Sequence, residues 1–174
     1  MFRILRLALT FLIIASLLVA CGFELRGQVA VAFDSIHLQG STLSISKTLR
    51  KNLEANNIKV LPTADNADVL LELTNEQSEK KILSLSGSGV VKEYQLFYRI
   101  HYRLRGAKDP VWGPEQTIEA QRDFSYSDAE LLAKQGEEAA LNENMHSDVV
   151  NNLLRRLTHY KPASASSDDT SAKP

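Results

Sequence analysis

The sequence predicts an α+β fold in which two helices pack on one face of a mostly antiparallel, four-stranded sheet. Two patterns lead to this prediction. Apolar and polar residues alternate in several segments, as in half-buried strands, and apolar residues recur every four positions in two others, as in amphipathic helices. The length of 174 residues suits one domain, and 44% hydrophobic with 24% charged residues is typical of a globular protein. The elements follow in the order β-α-β-β-β-α.

The first half of the predicted fold is a strand, a helix and a short extended segment. Residues 33–40 form the predicted first strand. The helix that follows has one apolar stripe, which consists of Ile45, Leu49 and Leu53. Residues 58–61 are extended but end at Pro62, which has no amide hydrogen to donate to a neighbouring strand. This segment is not counted among the four strands.

Three further strands are predicted in the middle of the chain. They cover residues 67–85, 90–105 and 115–126, and the Ser-Gly-Ser-Gly sequence at 86–89 predicts a hairpin turn between the first two. One side of the strand at 90–105 is apolar. The other side carries a basic row of Arg99, His101, Arg103 and Arg105. We expect this row to face either solvent or a partner.

The last predicted element is a long helix that begins at Ser127 and Asp128. Its apolar stripe consists of Met145, Val149, Leu153 and Leu157. The small, polar residues after this helix cannot bury a core. We therefore expect residues 21–160 to form one α+β domain and residues 161–174 to form a disordered tail.

Several classes of function lack their sequence signals. A formal charge of −1 argues against a nucleic-acid-binding protein, because such proteins usually carry a strongly basic face. The single cysteine and four scattered histidines predict no metal site, and no nucleotide-binding or nucleophile motif occurs. Glu137 and Glu138 are adjacent on a helix and so do not share a face, which disfavours a catalytic pair. We expect no enzyme activity, catalytic residue or cofactor.

The first twenty residues have the features of a secretory signal peptide. Arg3 and Arg6 give a basic start, and residues 7–20 are an uncharged run of mostly apolar residues. This run is shorter than the roughly 20 residues that a membrane-spanning helix needs and matches the core of a signal peptide. A buried helix or a short membrane anchor is the alternative interpretation.

The only cysteine follows this segment directly. The sequence Leu-Val-Ala-Cys at positions 18–21 resembles the lipobox of bacterial lipoproteins, in which the chain is cleaved before the cysteine and the thiol is acylated. We therefore predict cleavage of residues 1–20 and lipidation at Cys21. Gly22 follows the cysteine, and in the familiar sorting pattern a residue other than Asp there permits transport to the outer membrane. Stable anchoring needs two or more acyl chains.

The mature chain would open with CGFELRG, at residues 21–27, and Glu-Tyr-Gln at 93–95 follows the glycine-rich turn. Together with residues 129–134 at the start of the last helix and the order of elements, these segments resemble the LptE family of lipopolysaccharide-assembly lipoproteins. The resemblance covers most of residues 21–160. It implies a lipoprotein in the periplasmic leaflet of the outer membrane that plugs and helps assemble an LptD-type β-barrel. The pair would insert lipopolysaccharide into the outer leaflet.

The resemblance also implies where lipopolysaccharide binds. Lipopolysaccharide carries phosphates beside acyl chains, so its site should combine basic side chains with accessible apolar surface. Lys134 matches a family position that is implicated in ligand contact, and Lys80, Lys81 and Lys92 flank the glycine-rich turn. All four could equally be solvated surface lysines. The alternative function is an independent membrane-tethered lipid carrier or envelope chaperone.

Overall fold

The computed structural model describes residues 31–162. The predicted signal peptide, Cys21 and nearly all of the predicted tail lie outside this range. The strands are β1 (Ser35–Gly40), β2 (Lys59–Leu61), β3 (Val69–Leu85), β4 (Val91–Gly106) and β5 (Gln116–Ser125). The helices are α1 (Ser46–Ala55) and α2 (Leu131–His159), and a single 3-10 turn, Asp128–Glu130, leads into α2. The predicted order of helices and main strands is confirmed.

The sheet differs from the prediction in the number and direction of its strands. It has five strands, not four, in the order β2-β1-β3-β4-β5. The additional strand is β2, the short segment that ends before Pro62. The first strand, β1, runs parallel to both β2 and β3, whereas β3, β4 and β5 are antiparallel. The sheet is therefore mixed, because α1 reverses the chain between β1 and β2 and leaves them pointing the same way.

Both helices and one side of the sheet enclose a single hydrophobic core. The predicted stripe on α1 is buried at Leu49 and Leu53, and the stripe on α2 is buried at all four positions. The sheet contributes alternate residues of β4, namely Leu96, Tyr98, Ile100, Tyr102 and Leu104. These residues occupy alternate positions because a strand points successive side chains to opposite faces. The apolar patterns of the sequence therefore identified the core face of both helices and of β4.

Two arginines of the basic row on the other side of β4 pair with carboxylates of neighbouring strands. Arg99 binds Glu119 and lies 3.3 Å from Glu79, and Arg103 binds Glu72. Arg105 lies with its guanidinium 5.1 Å from the centre of the Trp112 ring. These cations are held by carboxylates and an indole on neighbouring segments. Arg99 and Arg103 are thus locally neutralised, whereas Arg105 has no carboxylate partner in the described domain.

Candidate functional site

The hairpin of β3 and β4 extends past the core and meets the start of α2. Strand β5 ends at Ser125, which pairs with Glu93, and the Tyr126 amide donates to the Lys92 carbonyl over 2.8 Å. The chain then turns at once into α2. Residues 80–94 and 124–138 therefore lie at one end of the molecule, which we call the hairpin end.

The turn at the hairpin tip has the predicted form. The Ser86 amide donates to the Val90 carbonyl over 2.7 Å, and the Gly89 amide donates to the Ser86 carbonyl over 2.9 Å. Gly89 has φ +81°, a conformation that glycine adopts without steric cost. The tip itself carries no charged side chain.

Large apolar side chains are exposed at the hairpin end. Exposure reaches 84% at Leu132, the second residue of α2. The other exposed apolar residues here are Ile82, Leu83, Leu85, Val90 and Leu131. Soluble proteins rarely group such residues, and a contiguous apolar patch usually marks contact with a ligand, a protein or a membrane. The hairpin end is therefore the prime candidate for such contact.

Lys80 is fixed by the structure at the hairpin end. Its ammonium lies 2.5 Å from Glu138 of α2 and 4.2 Å from the centre of the Tyr94 ring. Phe124 and Tyr126 complete an aromatic cluster around it, with ring centres 5.8 and 5.1 Å from that of Tyr94. A cation above an aromatic face and beside a carboxylate is stabilised by two interactions, a cation–π contact and an ion pair. Lys80 thus joins β3 to α2.

Lys134 is also engaged. Its ammonium lies 2.9 Å from the Ser125 hydroxyl and 2.8 Å from Glu137, and its side chain is only 14% exposed. The two adjacent glutamates therefore each bind a different lysine, which is consistent with their predicted lack of a common face. The sequence signal for the Glu137 contact is its i,i+3 spacing from Lys134. Nothing in the sequence signalled that Glu138 reaches Lys80, which is distant in the chain.

Lys92 and Lys81 occupy different surroundings. Lys92 is exposed and makes no ion pair among residues 31–162, and it lies where the register of β4 against β3 shifts, between Val91 and Glu93. Lys81 lies on the opposite side of the sheet from Lys80, where its ammonium is 3.1 Å from Glu79 and 4.9 Å from the Phe97 ring centre. The structure therefore brings Lys80 and Lys134 to the junction of the hairpin with α2, leaves Lys92 at the register shift nearer the tip, and places Lys81 on the opposite side of the sheet from Lys80.

The hairpin end has the side chains that binding of an amphiphile requires. It carries both lysines and exposed apolar side chains, and two of its carboxylates, those of Glu137 and Glu138, are bonded to lysines. A hydrogen bond to Asp128 raises the pKa of the Tyr126 phenol and keeps it neutral. Within the described part of the chain, no three histidine, cysteine or carboxylate side chains are grouped as metal ligands. No helix in residues 31–162 is both long and apolar enough to cross a bilayer.

Comparison with protein families gives a match over most of the described domain. The family model for LptE, described as lipopolysaccharide-assembly, matches residues 28–157. Among characterised proteins, the chain is 27% identical over 142 residues to the LPS-assembly lipoprotein LptE of Photorhabdus laumondii. This match covers 79% of the chain and 76% of the relative.

Solved structures share the fold. Lipoprotein B of Nitrosomonas europaea superposes with a TM-score of 0.69 at 34% identity, over 79% of this chain and 90% of that one. Rare lipoprotein B of Shewanella oneidensis superposes with a TM-score of 0.64 at 24% identity, over 72% and 94%. The two helices and mixed sheet are therefore an architecture found in other bacterial lipoproteins.

Proposed function

Because the chain belongs to the LptE family of lipopolysaccharide-assembly lipoproteins, and so has a role in lipopolysaccharide transport, we propose that it is the lipoprotein subunit of an outer-membrane translocon. In this proposal Cys21 carries the lipid anchor in the periplasmic leaflet. The folded domain plugs and helps assemble an LptD-type β-barrel. The hairpin end binds lipopolysaccharide directly, and no step is enzymatic.

The amphiphilic hairpin end is the observation that carries the proposal. Lipopolysaccharide presents phosphates next to acyl chains, and the hairpin end carries both lysines and the exposed Leu83, Leu85 and Leu132. Lys92 is the cation most available to a phosphate because it has no ion-pair partner in the described domain. A phosphate would reach Lys134 by replacing Glu137.

The polar face of the sheet supports the role of a plug. The lumen of a large barrel is polar, so a protein inside it needs a hydrophilic exterior with few uncompensated charges. The paired arginines on β4 provide such a face, since Arg99 and Arg103 each bind a carboxylate of a neighbouring strand.

Affinity purification from gently solubilised outer membranes tests the partnership. We expect a tagged protein to recover a large β-barrel in equimolar amount. Recovery of this protein alone would contradict the plug and favour the alternative, an independent tethered lipid carrier or chaperone. Labelled palmitate tests the anchor in the same cells: the Cys21→Ala variant should lose the label, and retained label would contradict lipidation at this residue.

Binding of purified lipopolysaccharide tests the hairpin end. The single variants Lys92→Asp and Lys134→Asp should each weaken the affinity for lipopolysaccharide about tenfold or more, which corresponds to roughly 1.4 kcal/mol. Lys81→Asp is the matched control, because Lys81 lies near the same turn but on the opposite side of the sheet. Equal affinities of all three variants and the wild type would remove the lysines from the site. Lys80 is a poor test because its replacement would disturb the aromatic cluster.

A further inference from the structure

A second surface lies on the opposite edge of the sheet, where β2 ends early. Strand β2 pairs with β1 only as far as Leu61 opposite His37, and Pro62 follows. The outer edge of β1 from Leu38 to Gly40 therefore has no strand beside it among residues 31–162. Backbone groups on such an edge can bond to an added extended segment.

A cleft of about 320 Å³ adjoins this unpaired edge and separates it from α1. Leu38 and Leu73 give it an apolar lining, and Thr42, Lys47 and Arg50 line it from the side of α1. We call this the β1 cleft. It is large enough for two or three side chains and is open to solvent.

The β1 cleft is positively charged and lacks internal compensation. Lys47 and Arg50 lie three residues apart on α1, are exposed, and make no ion pair within residues 31–162. None of the residues that line the cleft is acidic. By contrast, Arg99, Arg103 and Arg122 are each held by a carboxylate of the same domain. Uncompensated charge beside an apolar floor favours an oppositely charged partner.

We propose that the β1 cleft binds an extended, acidic segment of the barrel subunit. The segment adds to the free edge of β1 through its backbone, places an apolar side chain against Leu38, and pairs a carboxylate with Lys47 and Arg50. This inference rests on the proposed function for the identity of the partner. The partner would contribute an acidic, strand-like segment. This chain would contribute a contact surface on the sheet edge far from the hairpin end.

A peptide fits these features better than a lipid does. Along Leu38–Gly40, the backbone amides and carbonyls that point away from β3 have no strand partner among residues 31–162. Such groups can bond to the backbone of an extended chain and give a phosphate or an acyl chain no advantage. The combination of backbone bonds with one alternating apolar contact and one charged contact is the usual pattern of strand addition.

Charge reversal tests the proposal. The double variant Lys47→Glu/Arg50→Glu should reduce recovery of the barrel by tenfold or more in the affinity purification, and wild-type recovery should fall as salt rises. Lys51→Glu/Lys59→Glu is the matched control, because it makes the same change in charge at exposed residues that do not line the cleft. Unchanged melting by circular dichroism should show that both variants fold.

The outcomes separate this proposal from the proposed function. Full recovery by the cleft variant, or an equal loss in both variants, would overturn the β1 cleft as a docking site. Absence of any barrel with the wild type would overturn the proposed function instead. A photoreactive amino acid in place of Thr42 then tests in whole cells, independently of the purification, whether the β1 cleft is the docking site. Mass spectrometry should find a cross-linked peptide that contains Asp or Glu; cross-links to lipid only, or to no protein, would overturn the proposal.

Discussion

Glu76 acquires its role from a local irregularity in β3. The register of β3 against β4 shifts between Leu73 and Asn75, so that the side chains after the shift exchange faces. Glu76 consequently turns toward the helices. Its carboxylate accepts hydrogen bonds from the buried Tyr98 hydroxyl over 2.6 Å and from the Ser44 amide over 2.8 Å. The residue therefore ties the segment before α1 to the sheet.

These bonds set the ionisation of Glu76. Partial burial raises the pKa of this carboxyl, but hydrogen bonds from Ser44 and Tyr98 outweigh burial, and the net pKa lies below the usual 4.5. A lowered folded-state pKa contributes stability above the unfolded-state value, and that contribution is lost as the pH falls through the folded-state value.

Glu76→Gln should therefore destabilise the domain in a pH-dependent way. We expect a loss of about 1 kcal/mol at pH 7, because a charged acceptor is replaced by a neutral one. The difference from the wild type should shrink as the pH falls below 4.5. Urea unfolding at a series of pH values measures the difference in unfolding free energy between the variant and the wild type. A difference that stays constant across the series would contradict the role of the charge.

The lysines show what the sequence alone can and cannot predict about the candidate site. Its chemistry, cations near a turn beside apolar residues, was visible in the sequence. The ion-pair partners of these lysines could not all be read from the sequence, because Glu138 meets Lys80 only through the packing of α2 on the sheet. Lys80 and Lys81 could not serve one site together, since adjacent strand residues point to opposite faces. Lys81 is accordingly found beside Glu79 on the far side.

At the scale of the elements, long periodic segments were predicted well and short ones were not. The stripes of α1 and α2 and the alternation of β4 repeat often enough to identify the buried face. Strand β2 has only three residues, too few for a periodic signal, and its partner β1 lies across α1 in the chain. The parallel direction of β1 depends on that crossover, which local sequence does not encode.

The stripe on α2 gives a prediction for Leu153, which is completely buried. Leu153→Ala should cost about 3 kcal/mol of unfolding free energy, and Leu153→Asp more, because the aspartate would place an unpaired charge in the core. Asn151→Ala, at an exposed position two residues away, is the control and should change stability by less than about 0.5 kcal/mol. Similar melting temperatures for Leu153→Ala and Asn151→Ala would contradict the buried stripe.

The end of β1 gives a second prediction at this scale. Gly40 has φ +89°, and a Cβ atom there would lie 2.3 Å from the Leu73 carbonyl oxygen. Gly40→Ala should therefore destabilise the domain by about 2 kcal/mol through backbone strain and collision. Gly87→Ala is the matched control, since a Cβ at Gly87 meets no atom within 4 Å. Thermal unfolding compares the two, and an unaltered Gly40→Ala protein would contradict the close approach of β1 to β3.

The molecule as a whole divides into a well-packed body and a hairpin that leaves it. The body contains both apolar stripes and the first part of β3, where Val69 and Leu71 are completely buried. At the tip, Ile82 and Leu85 are each 56% exposed. Few buried contacts support the tip, so it can open without unfolding the body.

Amide hydrogen exchange should reveal this division. We expect the strand amides of residues 82–85 to exchange about a hundredfold faster than those of residues 69–73, although both segments are hydrogen-bonded to β4. Added lipopolysaccharide should slow the exchange at the tip if it binds there as proposed. Uniform protection along β3 would show that the hairpin and the body open as one unit.

The two ends of the described domain lie far from the tip of the long hairpin. Val31 and Pro162, the first and last described residues, line one cleft at the start of β1, on the side away from the hairpin tip. Strand β4 alone has 16 residues, or roughly 50 Å at 3.3 Å per residue, whereas the hydrocarbon layer of a bilayer is about 30 Å thick. If the domain is tethered through Cys21 in the inner leaflet and stands upright in a pore, as proposed, it is long enough to deliver its tip to the opposite leaflet without moving its anchor.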